Sequence, residues 1–76
     1  MEEKIVKILS GLRPEFDFTE KVDFIEEGML DSFDIVSLIS ELDNAFGIII
    51  NGEDVVPENF SSVEAISGLL KRMGAH

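Results

Sequence analysis

The feature that most constrains the fold of this chain is a stripe of apolar residues between positions 32 and 46. Its members are three or four positions apart, so they share one face of an α-helix. They are Ile35, Leu38, Ile39, Leu42 and Phe46. Asp31 precedes the stripe as a good N-cap. Asp34 lies three residues after Asp31, which is the spacing of a capping box. With Gly47 as the residue that lets the chain turn away, the pattern predicts a helix from about Ser32 to Phe46.

Two further segments show the same helical period. The first ends before Pro14, because the residue before a proline avoids helical geometry. In the second, Ser61 lies three residues before Glu64, which predicts a capping box and a helix from about Ser62 to Met73. The two stripes comprise Ile5, Ile8, Leu9 and Leu12 in the first segment and Val63, Ile66, Leu69, Leu70 and Met73 in the second.

The connections between these helices are expected to lack strands. Residues 13–30 form a long loop that is rich in apolar side chains, so we expect it to pack against the helices. Residues 48–50 have strand propensity but no convincing partner, which favours extended chain, and residues 53–56 have room for one helical turn before Pro57. The expected fold is all-α, a small bundle of three main helices with a short additional one, in a single domain over residues 1–76.

Charge restricts the partners of such a domain. Sixteen acidic and six basic residues give a formal net charge of −10, and residues 22–70 contain no Lys or Arg. This charge repels nucleic acid and anionic membranes and attracts basic partners, although an acidic surface also serves solubility alone. With no cysteine and no apolar run that could span a bilayer, we expect a soluble, cytoplasmic monomer without membrane insertion.

The residues for a self-contained active site are missing. The only histidine is His76 and there is no cysteine, so a serine nucleophile lacks its usual base and a zinc site lacks its usual ligands. We expect no catalysis and no bound metal.

Ser32 remains as the residue whose position suggests chemistry. The N-terminus of the predicted helix favours a phosphate there, through its free N–H groups and its dipole. The Asp-Ser pair is also common capping chemistry, and the three-residue pattern taken alone favours that interpretation.

The chain resembles the acyl carrier proteins over nearly its full length. The resemblance rests on size, acidity, the long first loop and the segments GMLDSFDIVSLISELDNAFGI and SSVEAISGLLKRM. The family's Asp-Ser-Leu hallmark at the start of the second helix appears here as Asp31-Ser32-Phe33. The resemblance implies a four-helix bundle with a short third helix. It also implies 4′-phosphopantetheine on Ser32, with Asp31 beside it, transferred from coenzyme A by a phosphopantetheinyl transferase. The thiol of this phosphoprotein's arm would carry an acyl group in fatty acid biosynthesis or related lipid or polyketide metabolism.

The resemblance further implies that the second helix docks acyl-loading and acyl-processing enzymes that have basic patches. Phe33 and Val36 would be its apolar contacts, unless they only pack against flanking chain. The polar contacts would be Asp34, Ser37, Glu41 and Asn44. Serine and asparagine make this face less acidic than in typical fatty-acid carriers, which leaves the pathway open.

Two other functions remain alternatives. The segments GMLDS and ELDNAFGI are also similar to carriers of D-alanine or other aminoacyl groups, which an adenylating ligase loads. An acidic helical adaptor that is never modified is the alternative from a different class. It predicts that Ser32→Ala leaves partner binding intact.

Overall fold

Three α-helices make up most of the regular structure in residues 1–75, the part of the chain that the computed structural model describes. They are α1 (Glu2–Leu12), α2 (Ser32–Phe46) and α3 (Val63–Arg72). Two single 3₁₀ turns, Gly52–Asp54 and Pro57–Asn59, lie where a short helix was expected, and this described part contains no strand. The all-α prediction is confirmed. His76, the only candidate base of the sequence, lies outside the described residues.

Helix α2 has the ends that its sequence predicts. Asp31 is the N-cap in extended conformation, and its side chain and that of Asp34 form a complete capping box. Gly47 ends the helix in the left-handed region, at φ 64° and ψ 40°, where a residue without Cβ is least strained. The start of the helix is therefore fixed at Ser32 by hydrogen bonds from backbone N–H groups to the Asp31 and Asp34 side chains, and these bonds do not use the Ser32 side chain.

The sequence predicts Ser61 as the residue that caps α3, and this prediction is wrong by one position. The N-cap is Ser62, whose hydroxyl accepts a hydrogen bond from the Ala65 N–H at 3.0 Å. Ser61 belongs to the preceding turn, where its hydroxyl donates to the Glu58 carbonyl at 3.2 Å and its own carbonyl accepts from Phe24 N–H at 2.8 Å. Because Ser61 is engaged there, the expected capping box with Glu64 does not form.

The long first loop is part of the core, as its composition predicts. Phe18 and Phe24 are almost completely buried, and their rings meet edge to face with centroids 5.1 Å apart. The N–H groups of Met29 and Leu30 both donate to the Phe24 carbonyl, at 2.9 and 3.2 Å, and both side chains are buried. The loop thus anchors the residues that lead directly into α2.

Helices α1 and α2 run antiparallel. Near the start of α1, the Lys4 ammonium donates to the Ala45 carbonyl at 3.2 Å and lies 5.0 Å from the ring centroid of Phe46. At the other end of α1, Arg13 contacts Asp34 in the first turn of α2. This arrangement brings the end of α1 to the start of α2, beside Ser32. None of the three helices is long and apolar enough to cross a membrane, within the residues described.

Candidate functional site at the start of helix α2

Ser32 is exposed at the first position of α2. The neighbouring carboxylates make the cap: the Asp34 N–H donates to Asp31 Oδ1 at 2.9 Å, and the Asp31 N–H donates to Asp34 Oδ2 at 3.1 Å. The hydrogen bonds of this capping box leave the Ser32 hydroxyl out. Asp31 is the cap, as the capping interpretation of the Asp-Ser pair expects, and the role of the Ser32 hydroxyl stays a prediction.

An arginine that the sequence did not single out lies at this helix start. Arg13 follows α1, and its backbone N–H donates to the Leu9 carbonyl at 2.9 Å. Its Nε donates to both carboxylate oxygens of Asp34 at 3.0 Å, and a terminal nitrogen lies 2.9 Å from Asp34 Oδ2 and 3.3 Å from Asp31 Oδ2. The other terminal nitrogen lies 3.2 Å from Glu15 Oε2. One guanidinium thus contacts both carboxylates that flank Ser32.

The contact between Arg13 and Asp34 shifts the pKa values of both side chains. The hydrogen bond from Arg13 holds the pKa of the Asp34 carboxyl below its usual value, against the opposing effect of partial burial. The backbone N–H of Asp31 adds to the same lowering. Hydrogen bonds from Arg13 to Asp34 and Glu15 in turn raise the pKa of the guanidinium. The Asp34 carboxylate and the Arg13 guanidinium are therefore both charged at neutral pH.

The expected docking residues fall into three groups in the structure. Phe33 and Val36 are 83% and 68% exposed, so the described chain does not cover them as flank packing would. Glu41 and Asn44 are exposed as well, and Ser37 is half-buried. The Asp34 side chain is only 15% exposed and binds Arg13, which gives it a structural role at the helix start. Their role in docking stays a prediction.

The sequence did not single out the exposed Ile49, which is 79% accessible in the segment that follows α2. It belongs to a run of three isoleucines of which Ile50 is buried and Ile48 half-buried. An extended chain alternates its side chains between two sides of the backbone. This alternation could have indicated that Ile49 faces away from Ile48 and Ile50.

A groove of about 380 Å³ lies far from Ser32, where the N-termini of α1 and α3 meet the first loop. Val6, Phe18 and Val63 contribute its apolar lining, and Glu2 and Glu64 lie among the acidic residues around it. Ser32 does not line it. Ser32 is therefore an exposed surface residue outside this groove.

Comparison with known proteins shows the family to which the chain belongs. The model of the family described as "Phosphopantetheine attachment site" matches residues 3–70, a range that begins in α1 and ends in α3. Among curated proteins, no significant match is found.

Proposed function

This chain belongs to the phosphopantetheine attachment site family, whose members carry 4′-phosphopantetheine as a covalent group, and we propose that it is an acyl carrier protein with the arm on Ser32. The observation that carries the proposal is the exposed serine at the first position of α2, which the capping box does not engage. The free N–H groups and the positive dipole end of α2 favour a phosphate at this position.

Attachment is a phosphoryl-group transfer from coenzyme A. The Ser32 oxygen attacks the phosphorus that bears the pantetheine, a new oxygen–phosphorus bond forms, and the pyrophosphate bond breaks. Adenosine 3′,5′-diphosphate leaves, and the serine proton passes to a base of the phosphopantetheinyl transferase. The transferase supplies this base, because Asp31 and Asp34, the carboxylates that flank Ser32, are engaged by Arg13 and by the N–H groups of the capping box.

The loaded protein serves as a substrate for other enzymes and does not itself catalyse a reaction. The terminal thiol of the arm forms a thioester with an acyl group, and cytoplasmic enzymes of fatty-acid or related acyl or polyketide biosynthesis act on that group. The exposed pair Phe33 and Val36 next to Ser32, together with the net charge of −10, supports docking to enzymes with a basic patch around an apolar centre. An aminoacyl cargo loaded by an adenylating ligase is the alternative within the same chemistry.

Intact-mass analysis after incubation with coenzyme A and a phosphopantetheinyl transferase tests the proposal. We expect the mass to rise by one phosphopantetheinyl group in the native chain and not to change in Ser32→Ala. Ser40→Ala is the matched control, because it removes another exposed serine of the same helix. A native chain without mass gain, or a Ser32→Ala chain that still gains mass, contradicts the assignment. If the native chain gains no mass, the unmodified adaptor is the function that remains.

Mass analysis of protein purified from its native source then distinguishes the cargoes. A fatty or polyketide acyl thioester supports the acyl carrier, and an amino acid on the arm supports the aminoacyl carrier.

A further inference from the structure

Arg13 is the cation that contacts the two aspartates around the attachment serine. Residues 22–70 contain no Lys or Arg, so a positive charge for this helix start has to come from another part of the chain. Lys4 lies at the opposite end of α2, against Ala45 and Phe46, and Lys21 pairs with Glu64 of α3 at 3.3 Å. Of these placed cations, only Arg13 lies at the start of α2.

The guanidinium of Arg13 contacts the same two carboxylates that form the capping box of α2. Asp34 accepts hydrogen bonds from Arg13 Nε and from the Asp31 N–H, and a terminal nitrogen of Arg13 lies 2.9 Å from Asp34 Oδ2 as an ion pair. Asp31 contacts the same guanidinium. Fork-shaped contacts of arginine with a carboxylate restrict geometry as well as neutralising charge. The position of the Ser32 backbone, which lies between the two aspartates, is therefore tied to the end of α1.

The charge of Arg13 matters because the proposed reaction brings an anion to this place. Coenzyme A presents phosphates to Ser32, and the product keeps a negatively charged phosphodiester on the serine. Without Arg13, the two flanking carboxylates would face that anion uncompensated. For unit charges roughly 6 Å apart near a protein surface, Coulomb's law corresponds to an effect of about tenfold or more on a rate.

We propose, on the basis of the function proposed above, that Arg13 is a positioning residue for phosphopantetheine attachment. It holds the capping carboxylates in place and offsets their charge, so that Ser32 accepts an anionic phosphoryl group. It acts through Asp31 and Asp34 and does not take part in the bond-making step.

Steady-state kinetics of phosphopantetheine transfer tests this role with Arg13→Gln, Arg13→Lys and Lys21→Gln. Lys21→Gln is the matched control, since it removes one positive charge from another exposed ion pair. At low salt we expect Arg13→Gln to lower kcat about tenfold with little change in the KM for the carrier. Arg13→Lys, which keeps the charge without the fork, is expected to recover part of this loss, and Lys21→Gln to stay within about twofold of the native rate.

Ionic strength separates the charge effect from a merely structural one. Because salt screens exposed charges, the kcat difference between the native chain and Arg13→Gln is expected to shrink as salt rises from about 20 to 300 mM. Loss of helix packing alone would lower the melting temperature without this dependence. If Arg13→Gln does not fold, the comparison of Arg13→Lys with the native chain at the two salt concentrations provides the same test.

Three outcomes overturn the inference. An unchanged kcat in Arg13→Gln means that the residue does not position the serine, and a raised KM with unchanged kcat means that it is a docking contact for the transferase. A kcat difference that is independent of salt contradicts the charge effect. Failure of the native chain to gain mass at all is a different result, which removes the proposed function itself.

Discussion

Replacing Phe33 by Ala tests whether the exposed part of α2 serves recognition and not stability. The side chain is 83% exposed, so it adds almost nothing to the core, and we expect the free energy of unfolding to change by less than about 0.5 kcal/mol. Burying a phenylalanine against a partner is worth about 1.5–3 kcal/mol. Loss of a central aromatic contact of about 2 kcal/mol corresponds to a roughly 30-fold weaker Kd.

The assay is calorimetric titration of a phosphopantetheinyl transferase, with Ser32→Ala in the background to prevent turnover. Ile49→Ala is the matched control, because Ile49 is 79% exposed but lies outside α2. Leu38→Ala, at a completely buried position of the same helix, shows how large the loss of stability becomes when the core is changed, about 2–5 kcal/mol. A Kd for Phe33→Ala within about twofold of the parent would refute the docking assignment. A loss of stability close to that of Leu38→Ala would refute the separation of the two roles.

Two further predictions concern the ends and the charges of the helices. An added Cβ meets no atom within 4 Å at Gly47 and only Arg72 Nη1 at 3.6 Å at Gly68, so the backbone decides the sign. We expect Gly47→Ala, at φ 64°, to lower the free energy of unfolding by about 1–2 kcal/mol. Gly68→Ala, inside α3, is expected to raise it by up to about 1 kcal/mol, and urea denaturation measures both changes. Changes of the same sign in the two variants would contradict this reasoning. Because Arg13 lowers the pKa of Asp34 in the folded state, Asp34 contributes stability that is present above its unfolded pKa of about 4 and is lost as pH falls through the folded pKa. The stability difference between the native chain and Asp34→Asn is therefore expected to shrink between pH 5 and about pH 2, and a difference that stays constant in urea melts over that range would show the ion pair to be inert.

The parts of the fold that the sequence predicts well are those with local causes. Both ends of α2 follow from residues within four positions of the helix terminus, namely the Asp31 and Asp34 box and Gly47. The apolar first loop also packs as its composition requires. The start of α3 was misassigned because two adjacent serines offer the same capping chemistry. The Ser61 hydroxyl donates to the nearby Glu58 carbonyl, and the Ser61 carbonyl accepts from Phe24, which is remote in sequence. These contacts engage Ser61 and leave Ser62 as the cap.

The place of Ser32 at the start of α2 was predictable from the sequence, whereas the cation beside it was not. Asp31, Ser32 and Asp34 lie within four consecutive positions, and the capping spacing identifies the two aspartates. Arg13 is 18 and 21 residues from its two aspartate partners, and its place depends on the antiparallel packing of α1 on α2. A chain with the same motif and a differently oriented first helix would leave Asp31 and Asp34 without this guanidinium. The spacing of these residues in the sequence therefore does not predict the contact of Arg13 with the two aspartates.

The contacts at the two ends of α1 indicate which pair of helices is able to separate when the bundle opens. Lys4 ties the beginning of α1 to the end of α2, and Arg13 ties the end of α1 to the beginning of α2. Because α2 is held against α1 at both ends, we expect the distance between Ser32 and the exposed residues further along α2 to change little. The connection to α3, residues 48–62, has only two single 3₁₀ turns as regular structure. Any opening of the bundle that admits part of a cargo is thus expected between α2 and α3, while a partner enzyme meets the same unbent surface whatever the arm carries.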